Sequence, residues 1–265
     1  MRRTAQGVLV AVLLFSVLGL TGCNKLRARD ELNKGVRAYK AAQFQAAIDH
    51  FKKAIEYDPS LINARLYLAT AYASQYIPGA PSVENIKMGE AAIAEFQKVL
   101  EMEPNNAAGI ASIGSIYFNM SKFDDSKRYN QKLIQLDPNN PEPYYWIGVI
   151  DWTLTFKPRM ELKSKLGLKP DEPLPAKQRQ ELAAKNAQIV EEGIQALRKA
   201  IDLRPEYDDA MAYLNLMYRE KADIVESPRE REELLAAADD LVQKTLDIKK
   251  RRAEAPAHGG GITMQ

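Results

Sequence analysis

The chain has 265 residues, enough for one elongated domain or two small ones. Its 37 Lys and Arg residues nearly balance its 35 Asp and Glu residues, which argues against a nucleic-acid-binding protein that relies on bulk charge. With one Cys and two His residues, the sequence excludes an internal disulfide and a Cys/His metal cluster, and it suggests no Ser-His-Asp arrangement.

The first element in chain order is an apolar run behind two arginines. It covers 13 uncharged residues, Val8–Leu20, which is typical of a secretory signal core and short of the ~20 residues of a membrane-spanning helix. The run ends in LTGC at 20–23, which resembles the lipobox of bacterial lipoproteins. The resemblance implies cleavage between Gly22 and Cys23 and a lipid joined to the Cys23 thiol. The alternative is an ordinary signal peptide in which Cys23 is incidental.

Four similar segments recur through the rest of the chain, and each closes on a proline. They read IEYDPS, LEMEPNN, LIQLDPNN and IDLRPEYDD, and their prolines are Pro59, Pro104, Pro138 and Pro205. The prolines are 45, 34 and 67 residues apart, which fits a 34-residue helix–turn–helix unit with insertions. This pattern of small, large apolar and proline residues resembles the tetratricopeptide repeat, and Ala107–Asn140 is its cleanest unit.

The resemblance implies an all-α fold: a right-handed α-solenoid of about five tetratricopeptide helix-turn-helix units with a C-terminal capping helix near 229–250. Small residues at the helix centres, Gly35, Gly114, Gly148 and Gly193, would let paired helices approach closely. One pair cannot bury its apolar face alone, so neighbouring pairs must stack. We therefore expect a signal peptide at 1–22, a lipidated tether at 23–28, the solenoid at 29–252 and a disordered tail at 253–265.

Three insertions interrupt the repeat, near 73–88, 154–185 and 219–229, each between the two helices of its unit. The largest carries eight basic and four acidic residues. It could be a solvated loop followed by a longer second helix from about Pro175. It could also be a docking edge for an acidic partner or anionic lipid headgroups, formed by Lys157, Arg159, Lys163, Lys165 and Lys169.

The first helices of the units offer a second candidate surface. In the family that this sequence resembles, peptide ligands lie against those helices. The corresponding residues here form a candidate partner groove: Tyr39, Leu66, Thr70, Phe118, Asn119, Tyr145, Trp152 and Arg219. Its aromatic side chains would suit an apolar or aromatic peptide segment, unless they and Trp146 simply pack between units.

These features favour a lipid-anchored periplasmic scaffold that mediates protein–protein interaction in envelope or outer-membrane complex assembly, or acts as an adaptor. Asn24 stands where enteric bacteria place the Asp that retains lipoproteins in the inner membrane, so we expect the outer membrane, facing the periplasm. The alternative is a glycan- or nutrient-binding surface lipoprotein, because exposed Trp side chains also stack on sugars.

The sequence offers no nucleophile–base pair, phosphate loop or metal cluster, so we expect neither an enzyme nor a cofactor or metal. Asp151 stands where the fourth unit should have a Tyr. We expect its carboxylate to bond to a neighbouring group rather than to act as a catalytic acid.

Overall fold

The computed structural model describes residues 23–254. The expected signal peptide, with Gly22, and the part of the expected tail beyond residue 254 lie outside the described residues. Within 23–254 all regular structure is helical, which confirms the all-α fold class. None of the helices in this range combines the length and the apolar composition needed to cross a membrane.

Ten helices follow one another through this range in five consecutive pairs. The first, α1, covers 23–40. The others are α2 (Phe44–Tyr57), α3 (Ile62–Ala73), α4 (Val83–Met102), α5 (Ala107–Asn119), α6 (Phe123–Leu136), α7 (Pro141–Lys165), α8 (Ala176–Leu203), α9 (Asp208–Ala222) and α10 (Pro228–Glu254). The repeat prolines Pro59, Pro104, Pro138 and Pro205 all fall just after the second helix of a pair, where a residue without an N–H ends the helix and turns the chain.

The helices divide into two compact units, one up to Tyr129 and one from Asn130 onward. In the first unit α2 packs on α3, α3 on α4, and α4 on α5. Gly35 of α1 faces Phe51 of α2 so closely that a Cβ on Gly35 would lie 2.5 Å from the phenyl Cε1 atom. Between α5 and α6, the Ser126 hydroxyl donates to the Gly114 carbonyl at 2.8 Å. A small residue at each helix centre therefore sets the close approach within these pairs.

In the second unit α7 packs on α8, α8 on α9, and α9 on α10, while α7 also packs on α9. Its core includes Leu197, Leu214 and Met217. Gly148 of α7 lies directly against the Leu197 side chain of α8, as the repeat pattern predicted for a close helix pair. The contact between α7 and α9 matters for function, because it places the first helices of two successive pairs side by side.

The expected tether at 23–28 is wrong in one respect: these residues already form the first turns of α1. Ala28 is fully buried, so the folded core begins five residues after Cys23. The physical reason is that no Gly or Pro separates Cys23 from the rest of the helix, and Leu, Ala, Lys and Arg in between favour helix. Residues 253–254, expected in the tail, are the last residues of α10.

The largest insertion is mostly helix rather than solvated loop. Helix α7 continues through Pro158 to Lys165, and only 166–175 lie outside a helix before α8 begins at Ala176. Proline removes one hydrogen bond from a helix interior and is expected to end or kink it. Here buried polar contacts beyond Pro158 hold the helix in place; they are described below.

Candidate functional site

Three aromatic side chains lie along one face of α7, and a fourth comes from α9. Tyr145, Trp152 and Phe156 are spaced by seven and four residues, so they share a helix face. The Trp152 and Phe156 rings stack with centroids 4.8 Å apart. Tyr213 of α9 meets Trp152 edge-on at 5.4 Å and Tyr145 edge-on at 5.7 Å. We call these four residues the aromatic row.

The aromatic row is uncharged and only partly buried, since all four side chains keep some exposure to solvent. Burial, followed by the nearby Tyr213, Asp209 and Glu142 groups, raises the pKa of Tyr145 to about 12. Burial also raises the pKa of Tyr213. Both hydroxyls are therefore neutral at physiological pH. The indole Nε1 of Trp152 is buried and makes no hydrogen bond within the described part of the chain.

Two charged groups beside the aromatic row, Arg219 and Glu142, are already paired. The Arg219 guanidinium binds Asp239 of α10 at 2.6 Å and the Asn215 side chain at 3.2 Å. Tyr207, whose ring packs 5.1 Å from that of Tyr145, donates its hydroxyl to Glu142 at 2.8 Å. The exposed carboxylate of Asp209, near Tyr145 and Tyr213, has no such partner among the described residues, so the surface open to a ligand is aromatic with one acidic group beside it.

Two of the eight residues predicted for the partner groove, Tyr145 and Trp152, both contact Tyr213 in the second unit. Arg219 is on α9 with Tyr213, but its charge is engaged with Asp239. Phe156 and Tyr213 were missed by the sequence interpretation. The i+4 spacing from Trp152 could have indicated Phe156, whereas Tyr213 becomes recognisable only once α9 is known to pack on α7.

The groove residues of the first unit form two local sets. In one, the Tyr39 hydroxyl bonds to that of Ser74 at 2.8 Å, and Ser74 in turn donates to the Thr70 carbonyl at 2.9 Å. Thr70 donates to the Leu66 carbonyl at 2.8 Å. In the other set, the Phe118 ring lies 5.7 Å from that of Phe123, and the Asn119 carbonyl accepts from the Tyr76 hydroxyl at 3.3 Å. These contacts hold helix ends together.

The predicted docking edge is wrong for two of its five residues. Lys157, Lys165 and Lys169 are exposed, but the Arg159 and Lys163 side chains are only 8% and 1% exposed. Both turn inward because Pro158 does not end α7, which leaves them on its buried face. A docking role for the three exposed lysines stays a prediction.

Arg159 and Lys163 instead form a buried ionic cluster with Glu220 and Asp223 at the end of α9. Arg159 binds Glu220 at 2.9 Å and Asp223 at 2.7 Å, and Lys163 binds Asp223 at 2.6 Å. The Lys163 ammonium also donates to the carbonyls of Pro170 and Glu172, at 2.7 and 2.8 Å. Burial raises the pKa of Glu220 to about 7, against the opposing effect of Arg159. This cluster fixes the far end of α7 and the 166–175 segment to α9.

Asp151 and His50 lie on different helices of the described part of the chain. Asp151 is fully buried in α7 beside Gly193 of α8. His50 bonds to Glu31 at 2.7 Å near the surface. Across 23–254 no three His, Cys, Asp or Glu side chains are grouped to hold a metal ion.

Comparisons with known proteins agree with the helical repeat. Residues 109–140 match the family model of the tetratricopeptide repeat. The Hsp70-Hsp90 organizing protein of Triticum aestivum is 28% identical over 115 residues, which are 43% of this chain and 18% of that protein. This chain therefore spans less than a fifth of that relative's length.

Solved structures share the fold over most of the chain. A MamA structure from Desulfovibrio magneticus RS-1 superposes with a TM-score of 0.57 at 17% identity, covering 85% of this chain and 97% of that one. The structure of YrrB, described as a TPR protein with an unusual peptide-binding site, gives a TM-score of 0.51 at 16% identity, covering 83% and 90%. The chain thus contains a tetratricopeptide repeat at 109–140 and has the helical fold of these proteins.

Proposed function

We propose that this chain is a lipid-anchored scaffold that holds partner proteins in a bacterial cell envelope, and that the aromatic row binds an extended apolar or aromatic segment of the partner. The observation that carries the proposal is the half-buried, uncharged aromatic row spanning α7 and α9. Aromatic side chains supply most of the energy at many protein interfaces because they bury large areas with little loss of conformational freedom.

The geometry favours a peptide over a charged ligand. The Trp152 indole N–H is buried without an acceptor among the described residues, so the ring offers a ligand its apolar surface rather than its donor. Arg219 and Glu142 are already paired with Asp239 and Tyr207, so these two charges add little attraction. We therefore expect binding that depends on apolar contact and responds weakly to salt.

Two of the similar proteins support a binding role through the words that describe them. YrrB is described as having a peptide-binding site, and the wheat relative is an organizing protein for Hsp70 and Hsp90. One description names a peptide-binding site, and the other names two proteins that are organized. They favour a protein or peptide partner for this chain, without indicating which one.

The lipid anchor is proposed from the sequence. The LTGC segment follows a signal-like apolar run, and Cys23 is exposed at the first described position of α1. Cleavage before Cys23 would leave the lipid attached directly to the folded domain. Because Asn24 follows Cys23, we place the protein in the outer membrane, facing the periplasm.

The groove is tested with peptides selected by display on the purified protein. We expect the selected peptides to be rich in aromatic and large aliphatic residues. Tyr145→Ala combined with Trp152→Ala should weaken their binding, measured by fluorescence anisotropy, by at least about 30-fold, since truncating a buried interface anchor typically costs 2 kcal/mol or more. Doubling the salt concentration should change the wild-type affinity little.

Trp146→Ala is the matched control. Trp146 is a 36% exposed ring on the same helix, about 100° around the axis from Tyr145. The affinity of the Trp146→Ala variant for the peptides should stay within about threefold of the wild-type affinity, because a contact at the rim of an interface contributes little. Equal affinity of the folded double variant and wild type would show that the aromatic row is not the binding surface.

The glycan-binding alternative receives no support from the rings. Sugar stacking needs an exposed face, yet Trp152 and Phe156 stack on each other at an interplanar angle of 28°. Trp146 stands edge-on to Tyr145 at 63°. We therefore keep the peptide as the proposed ligand.

A further inference from the structure

A second concave site lies in the same unit, away from the aromatic row. A pocket of about 300 Å³ opens where α8 and α10 begin and α9 ends. We call it the arginine pocket, because Arg179 and Arg231 line it. Other lining residues include Pro173, Leu174, Ala222 and Val225. No residue of α7 lines it, so it is independent of the proposed peptide groove.

The two arginines have unused hydrogen-bond donors. The Nε atoms of Arg179 and Arg231 are both buried without a partner in the described part of the chain. Arg231 donates through Nη2 to the Asp171 carbonyl at 2.6 Å, whereas no hydrogen bond of the Arg179 side chain is found within 23–254. A guanidinium offers five donors and cannot lose its charge, so a half-buried one without an acceptor is a site prepared for an anion.

The acidic side chains around the pocket do not supply that anion. The Asp223 carboxylate is held by Arg159 and Lys163, at 2.7 and 2.6 Å. Glu226 accepts a hydrogen bond from Gln180 at 3.4 Å, and Glu232 is exposed to solvent. None of the three forms an ion pair with Arg179 or Arg231, although all line the same pocket. Their negative charge favours a singly charged ligand over a multiply charged one.

The remaining walls are apolar. Leu174 and Ala222 are almost completely buried, and Val225, Pro173 and Pro228 complete the surface. Arg179 and Arg231 also lie in the first turns of α8 and α10, where the helix dipole adds positive charge. Apolar walls with a few convergent polar groups are typical of small-molecule sites.

We propose that the arginine pocket binds a monocarboxylate carried by a small apolar group, with the carboxylate between Arg179 and Arg231 and the apolar group against Leu174 and Val225. A planar carboxylate matches the fork of a guanidinium in two parallel hydrogen bonds, which a spherical anion cannot form. A free organic acid and an acidic side chain of a bound peptide both present this carboxylate, and the test below distinguishes the two.

The site is tested by nuclear magnetic resonance of arginine Nε–Hε groups in the purified protein at constant ionic strength. The probes are isovalerate, acetate, inorganic phosphate and chloride, together with the blocked peptide N-acetyl-Leu-Asp-amide. Isovalerate should shift the Arg179 and Arg231 signals saturably and bind about tenfold or more tighter than acetate, because its additional carbons are buried. Comparing isovalerate with the blocked peptide distinguishes a free acid from a peptide side chain.

Variants establish the position. Arg179→Gln and Arg231→Gln should each weaken isovalerate binding by about tenfold or more, as expected for loss of a hydrogen bond to a charged group. Arg229→Gln is the matched control, because Arg229 is on the same turn of α10 with its side chain 89% exposed, and it should bind like wild type. Shifts that never saturate, shifts equal to those with chloride, or tighter binding of phosphate than of isovalerate would overturn the proposal.

Discussion

Gly35 shows how one residue sets the distance between two helices. A Cβ at this position would lie 2.5 Å from the Phe51 ring, closer than any real pair of carbon atoms without a bond. Phe51 is itself completely buried and stacks on Tyr67 with ring centroids 5.6 Å apart, so it has little freedom to move aside. The glycine is therefore required by packing rather than by backbone conformation.

We expect Gly35→Ala to destabilise the protein by about 1–3 kcal/mol through overpacking, measured by urea unfolding. Gly35→Ala combined with Phe51→Leu should lose less unfolding free energy than the two single losses added together. The smaller Leu side chain leaves room for the new methyl group. Strictly additive effects would show that the two residues do not restrict each other in this way.

At the scale of the element, the buried ionic cluster explains why α7 extends beyond its repeat. The extended end of α7 is bound to α9 by ion pairs among four buried residues: Arg159, Lys163, Glu220 and Asp223. Removing such a cluster from water is unfavourable, and the same desolvation raises the pKa of Glu220. The extension therefore has a fixed orientation rather than a loose one.

The cluster predicts a pH dependence of stability. Because the folded pKa of Glu220 is about 7 and its ordinary value is 4.5, the folded protein binds a proton in this interval that the unfolded chain does not. Ionising Glu220 in the folded protein lowers the free energy of unfolding. This loss is absent below pH 4.5, grows as the pH rises, and is complete above pH 7. Stability from this residue should thus fall by about 1 kcal/mol between pH 6 and pH 8.

The measurement is urea unfolding of wild type and Glu220→Gln at both pH values. The variant cannot titrate at this position, so its stability should change less than that of wild type over the interval. Glu31, Glu191 and Asp208 do not interfere, because their pKa values are lowered and they titrate below it. A wild-type-to-variant difference that stays constant with pH would contradict the raised pKa.

How far the sequence could predict these elements depends on the range of the interactions. The helix pairs and their ends follow from local signals, namely the 34-residue repeat, the central glycines and the closing prolines. The course of α7 could not be predicted locally. Pro158 indicates a break, and the residues that outweigh it, Glu220 and Asp223, lie 61 and 64 positions beyond Arg159, which binds them. For the same reason Tyr145 and Trp152 could be predicted as site residues, whereas Tyr213 could not.

At the scale of the whole molecule, the proposed anchor decides where the scaffold works. We expect Cys23→Ser to abolish acyl labelling and leave the precursor uncleaved before residue 23, because only the thiol can carry the lipid. The measurements are metabolic labelling with a fatty acid and mass spectrometry of the mature N-terminus. The anchor would be refuted if wild-type protein were soluble after cell fractionation or if its mature N-terminus were another residue. Neither result bears on the peptide groove, which has its own assay.

The helical start of α1 has a consequence for the reach of such a scaffold. With Ala28 already in the core, only five residues separate the proposed lipid from the folded domain, about 8 Å along a helix. A flexible linker of 20 Gly and Ser residues would instead allow an end-to-end distance of about 25 Å. A protein held this closely samples a thin layer of solvent next to the bilayer, so it would meet partners that are themselves at the membrane surface far more often than partners diffusing freely in the compartment.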